Sequence, residues 1–182
     1  FFVLNLDDTF ENPRKMKKLI NSYPDFPKKG ILFKDLLGIL REPSEFKKLI
    51  ENMSSKEIIK KADALIAIDA RGFVFGSAIA FLTSKPMVVA RKPGKLPGKL
   101  KTKSYDLEYG TNSLSIQEES LDGFQKIAIV DDLLATGGTV NCVSEILESM
   151  GKDITGLSVV IELEALEGRS KFDFDISSEM KF

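Results

Sequence analysis

Short unbroken apolar runs alternate along the chain with stretches in which apolar residues return every three or four positions. Ala64-Leu65-Ile66-Ala67-Ile68, Met87-Val88-Val89-Ala90 and Ile127-Ala128-Ile129-Val130 have no polar interruption, the pattern of strands buried on both faces. Ile154–Leu163 adds a last, longer strand. Between them, Phe73–Leu82, with the small residues Gly76, Ser77, Ala78 and Ala80, and Gly138–Met150 read as helices. Strands alternating with helices predict an α/β fold, a parallel sheet covered on both faces. Ligands of such sheets sit beyond the carboxyl ends of the strands. The loops starting at Asp69, Arg91 and Asp131 therefore mark the expected site.

The flanks are less regular. Met16, Leu19 and Ile20 recur at helical spacing among Arg14, Lys15, Lys17 and Lys18, predicting a helix over Pro13–Ser22 with a solvated basic face. Pro24, Pro27 and Gly30 then imply a turn-rich connection, followed by helices over Glu45–Met53 and Ser55–Lys61. Ser104–Tyr109 and Ser113–Gln117 flank Gly110-Thr111-Asn112 as a predicted antiparallel hairpin. No apolar run reaches the ~18 residues of a membrane span. Phe1-Phe2-Val3-Leu4 is broken by Asn5, Asp7 and Asp8 and lacks a basic leader, so it reads poorly as a signal peptide. The expectation is a soluble, cytoplasmic chain with no membrane partner.

Composition narrows the chemistry. At 182 residues the chain fits a single domain, 1–182, of ordinary globular make-up, with 43% hydrophobic and 29% charged residues. Lys and Arg number 26 against 27 Asp and Glu, a net charge of -1, which gives no general pull toward nucleic acid. There is no histidine, so a Ser-His-Asp triad, a Cys-His pair and any His-ligated metal site are excluded. Acid–base work falls to carboxylates, Lys or Tyr. The one cysteine, Cys142, excludes an internal disulfide and points to a reducing compartment.

The stretch from Val130 to Thr139 concentrates the chemistry: Val130-Asp131-Asp132-Leu133-Leu134-Ala135-Thr136-Gly137-Gly138-Thr139 leaves a buried strand and opens a helix. Its backbone N–H groups face the positive end of a helix dipole, Gly137 and Gly138 allow close backbone approach, and Thr136 and Thr139 add hydroxyls: a phosphate cradle. It has neither the Lys of a Walker loop nor the glycine spacing of a dinucleotide fold. Two adjacent carboxylates repel each other unless sugar hydroxyls, a magnesium-bound ligand or a cation shares them.

At these residues the chain resembles the type I phosphoribosyltransferases, whose signature is an apolar run, two acids and a Thr-Gly-Gly-Thr loop. Four further stretches resemble the adenine phosphoribosyltransferases within that group. They are Tyr23 to Asp35 as entry segment, Ile68 to Gly76 as pyrophosphate loop, Arg91 to Gly98 as basic loop and Ser104 to Gly110 as catalytic flap. Ile161-Glu162-Leu163 and Glu167-Gly168-Arg169 extend the likeness toward the C-terminus. The fold implied is a parallel sheet flanked by helices, with a small N-terminal hood (13–40) and a flexible β-hairpin flap (104–117). The activity implied is magnesium-dependent transfer of the 5-phosphoribosyl group from phosphoribosyl pyrophosphate to adenine, releasing AMP and pyrophosphate.

The resemblance assigns roles residue by residue. Asp131 and Asp132 would hold the ribose hydroxyls, and Ala135, Thr136, Gly137, Gly138 and Thr139 the 5′-phosphate. Asp69, Ala70, Arg71, Arg91, Lys92 and Lys95 would face pyrophosphate, a leaving group that needs cations placed in advance. Glu108 and Arg71 are the implied catalytic residues, Tyr105 and Tyr109 the flap aromatics. Leu32, Phe33, Lys34 and Leu163 would hold adenine, a planar ring suited to apolar faces. Magnesium would be carried by the substrate, with no direct protein ligand. A cis peptide would fall at Asp69-Ala70, and a homodimer is implied. Many members have Arg where Lys34 stands and Ser where Ala70 stands. Alternative readings are a hypoxanthine–guanine, xanthine or orotate enzyme, and a non-catalytic regulator that senses phosphoribosyl pyrophosphate and binds DNA.

Overall fold

The structure, a computed structural model, describes residues 13–107 and 110–182. The chain divides into two compact units, one up to Lys48 and one from Leu49 to Phe182. In the first, α1 (Pro13–Lys17) leads to an antiparallel pair, β1 (Asn21–Pro24) and β2 (Leu32–Asp35), in register from Asn21 opposite Asp35 to Pro24 opposite Leu32. A helix predicted to Ser22 therefore stops at Lys17, and the turn-rich connection proves to be a hairpin. Its bend is held by Gly30 N–H donating to Asp25 Oδ1 at 2.7 Å and by an edge-on Phe26–Phe33 contact with ring centres 5.0 Å apart. The boundary between the units falls within α2 (Pro43–Ser54).

The second unit continues with α3 (Glu57–Lys60), β3 (Ala64–Ile68), α4 (Gly72–Thr83) and β4 (Met87–Ala90). The hairpin β5 (Leu100–Leu107) and β6 (Gly110–Gln117) comes next, then β7 (Lys126–Leu134), α5 (Gly138–Ser149), β8 (Asp153–Glu162) and β9 (Ile176–Lys181). Five of these strands form one parallel sheet in the order β4-β3-β7-β8-β9. The unbroken apolar runs are its centre, and every residue of β3 is buried. Two predictions are corrected. Ile154–Leu163 is not the last strand, because β9 adds an edge beyond it. Gly110-Thr111-Asn112 is not a loop: it is paired strand, with Leu107 opposite Gly110.

Alternation along the central strands assigns the two faces. Ile66, Ile68, Ile127 and Ile129 share a buried cluster with Val140, Val143 and Leu147 of α5. Ala67 faces the other way, onto α4, where a Cβ on Gly76 would come within 2.6 Å of the Ala67 methyl. That is why a small residue stands at that helix position. The hairpin is rooted on the sheet by Arg91 and Ser115, whose main chains exchange hydrogen bonds of 3.0 and 2.7 Å. It also packs on α5, where the buried Cys142 Sγ–H donates to Lys103 O at 3.2 Å. Among the described residues no helix is long and apolar enough to cross a membrane.

Candidate active site

The strand order sets the site. From β3 the chain moves outward to β4, then returns to lay β7 on the other side of β3. The connections thus diverge between the carboxyl ends of β3 and β7, and such a switch point leaves a crevice. A cavity of about 350 Å³ lies there, lined from β3 by Asp69, Ala70 and Arg71 and from β7 by the continuous stretch Asp131 to Val140. Lys92 and Tyr105 complete its polar wall.

At the end of β7 the two acids are buried, Asp131 at 8% and Asp132 at 6% exposure. Asp132 N–H donates to Asp131 Oδ1 at 2.8 Å. Burial, reinforced by the neighbouring Asp132 charge, pushes the Asp131 carboxyl well above its ordinary range, while Arg71 opposes the shift. Asp132 Oδ2 lies 2.8 Å from Arg71 Nε, a close ion pair, yet this buried oxygen accepts no well-aligned hydrogen bond. An acceptor in that state favours a ligand hydroxyl.

Beyond the acids the chain turns through Gly137, at φ 82°, into α5. A Cβ there would also press within 3.1 Å of Gly168 O and the Phe172 ring, so glycine is required on two counts. The first hydrogen bond of the helix runs from Asn141 N–H to Gly137 O at 2.8 Å. The amides before Asn141 have no acceptor within the helix. They line the cavity together with the Thr136 and Thr139 side chains, a backbone anion site.

At the end of β3 the Asp69–Ala70 peptide is cis, as expected. Gly72 opens α4 so close to the acid pair that a Cβ would stand 2.9 Å from Asp131 Oδ1. Arg91 does not line the cavity: its Nε donates to Asp69 Oδ2 at 3.0 Å and its guanidinium lies 5.7 Å from the Phe73 ring centre. Lys95 is also absent from the cavity wall.

The chain matches the phosphoribosyl transferase domain family over residues 38–180. The adenine phosphoribosyltransferase of Prochlorococcus marinus (strain MIT 9515) is 61% identical over 168 residues, covering 92% of this chain and 98% of that protein. The adenine phosphoribosyltransferase structure from Thermoanaerobacter pseudethanolicus superposes with a TM-score of 0.87 at 43% identity, covering 92% of this chain and 98% of that one. This chain belongs to the adenine phosphoribosyltransferases. The Saccharomyces cerevisiae member, solved with an imino-altritol bisphosphate and adenine, has a TM-score of 0.83 at 34% identity over 91% of this chain and 97% of that one.

Within this phosphoribosyltransferase the cavity gathers Asp69, Ala70, Arg71, Lys92, Tyr105, Asp131, Asp132 and the loop Ala135–Thr139. Leu163 is half-buried just past β8, its N–H donating to Leu134 O at 2.9 Å, and is not on the cavity wall. Leu32, Phe33 and Lys34 lie on β2 of the first unit, where Lys34 Nζ donates to Ser22 Oγ at 2.9 Å. Glu108 and Tyr109 lie outside the described residues. Sequence reading missed Gly72, Gly168 and Phe172, which shape the site by packing. Gly72 and Gly168 stand within the stretches quoted above and Phe172 does not, and nothing local in the sequence gives the partners of any of the three.

Proposed function

We infer that this enzyme transfers the 5-phosphoribosyl group of phosphoribosyl pyrophosphate to N9 of adenine, giving AMP and pyrophosphate, as a step of purine salvage. The observation that carries the reading is the switch-point cavity, where a buried acid pair, an arginine and a glycine-rich helix start share one wall. The relatives named above act in the same class, and the yeast member binds adenine beside a bisphosphate.

In this reading the sugar hydroxyls donate to the carboxylates of Asp131 and Asp132, which line the cavity. The amides from Ala135 to Thr139 and the Thr136 hydroxyl hold the 5′-phosphate. Asp69, Ala70, Arg71 and Lys92 face the pyrophosphate, with Lys95 joining them from the loop after β4 and Arg91 acting through the Asp69 carboxylate it grips. Arg71 stabilises charge gathering on the departing group. Glu108 stabilises the oxocarbenium character at C1′ or relays the N9 proton, while Tyr105 and Tyr109 shield the nucleotide from water. Replacing Glu108 by Ala should lower kcat far more than it raises KM, and unaltered turnover removes it from the chemistry. Phe33 is the proposed stacking ring for the base, with Leu163, Leu32 and Lys34 completing its contacts.

Magnesium enters on its substrate. The described residues form no group of three or more acidic or thiol side chains able to hold an ion, whereas the carboxylates of Asp69, Asp131 and Asp132 line the same cavity as the basic groups. That donor set fits a cation already coordinated by a polyphosphate. The ion supplies charge neutralisation on the leaving pyrophosphate. The working form is a cytoplasmic homodimer of single-domain subunits, a state favoured by the apolar end of α4, where Phe81 is 89% exposed.

The deciding experiment supplies the purified protein with magnesium, phosphoribosyl pyrophosphate and a panel of adenine, hypoxanthine, guanine, xanthine and orotate. AMP alone is expected. No AMP ends the reading, and a nucleotide made from another base in preference to AMP transfers it to a sister activity.

A further inference from the structure

Tyr105 stands apart from every other polar group on the cavity wall because it comes from the hairpin rather than from a sheet strand end. Its ring lies over the start of α5, with Cδ2 at 3.4 Å and Cε2 at 3.8 Å from where a Gly138 side chain would begin. Its hydroxyl accepts a hydrogen bond from Thr139 Oγ1 at 3.3 Å. No acceptor for the Tyr105 O–H is present among the described residues, so the phenol sits beside the loop amides with its own proton unspent.

The strand holding it is fixed to the same helix. Lys103, two residues earlier and on the same face of β5, is paired through its main-chain oxygen with Cys142 and through its ammonium with Glu145. The phenol is thereby registered on α5 itself, one turn from the amides of the loop.

We propose that Tyr105 is a ligand of the 5′-phosphate: its hydroxyl donates to a phosphate oxygen held by Ala135–Thr139, so that the hairpin and the loop close on one anion together. This rests on the assignment of that loop to the 5′-phosphate. Gly138 then serves two purposes, admitting the phosphate on one side and the aromatic ring on the other. Thr139 orients the phenol by donating to it, leaving the phenol's proton for the ligand.

The test compares AMP with adenosine, which lacks only the phosphate, by calorimetric titration of wild type and Tyr105→Phe. The ring and its packing are kept, so an unchanged melting temperature verifies folding. The variant should bind AMP about tenfold more weakly, the scale of one hydrogen bond to a charged group. Its affinity for adenosine should stay at the wild-type value, and its KM for phosphoribosyl pyrophosphate should rise while that for adenine does not. Unchanged AMP affinity, or equal losses for AMP and adenosine, overturns the proposal. Wild-type protein that binds AMP no better than adenosine overturns the loop assignment beneath it, an outcome the variant alone cannot produce.

Discussion

Two strand-to-helix corners meet at one cavity, and they handle negative charge by different means. The β7 corner offers backbone: a left-handed Gly137, free amides and the positive end of α5, an amphipathic helix covered by the sheet and hairpin. The β3 corner offers a side chain: Arg71 at the head of α4, a helix apolar around most of its girth and lacking any acid or base within Gly72–Thr83. Amides on a rigid turn suit an anion that stays throughout, because their geometry is set by the fold. A guanidinium on a side chain can follow an anion that departs. The corners are also coupled, since Gly72 of one packs on Asp131 of the other.

Three substitutions probe this division of labour, beginning with the largest expected effect. Arg71→Gln removes the movable cation and leaves Asp132 without its ion pair. Steady-state kinetics should show kcat/KM reduced on the order of 10²-fold, with AMP affinity much less affected. Equal losses in both would mean that the two corners are not specialised. Gly137→Ala attacks the rigid turn. A side chain at φ 82° against Gly168 O and Phe172 should weaken AMP binding by about tenfold and lower stability by about 1–2 kcal/mol, read by titration and denaturant unfolding.

The smallest effect is the most specific. Asp131→Asn should raise KM for phosphoribosyl pyrophosphate severalfold while stabilising the free protein at neutral pH. Because burial raises the Asp131 carboxyl above 3.8, its contribution to stability is fully present below that value. That contribution is lost as pH rises through the higher folded-state value. Asparagine cannot ionise and avoids the loss. The melting-temperature difference between variant and wild type should therefore be near zero at pH 4 and positive at pH 8. A difference that does not change with pH would show that the pair carries no strain.

What could be read from the sequence follows from how local each signal is. β3 and β4 were bounded correctly, and β7 recognised, because a strand buried on both faces writes an unbroken apolar run. β1 and β2 went unseen: all of β1 and Leu32 are exposed, so no alternation marks them. β9 is an edge strand whose only apolar residues, Ile176 and Met180, are separated by Ser177, Ser178 and Glu179, so no alternation marks it. At the site, the acid pair and Gly137-Gly138 are contiguous and were legible at once. The grip of Arg91 on Asp69, 22 positions away, was not, nor was the bed that Gly168 makes for the Ala135 carbonyl, where any side chain would overlap. Such pairings are created by folding and leave no spacing to detect.

The sulfur that joins α5 to the hairpin has a practical use. It is the only thiol in the chain, and burial both hides it and raises its pKa. A cysteine introduced near the hairpin tip would therefore be the one position to react with a maleimide dye. Without first removing any native residue, that label would let fluorescence follow the hairpin through a catalytic cycle.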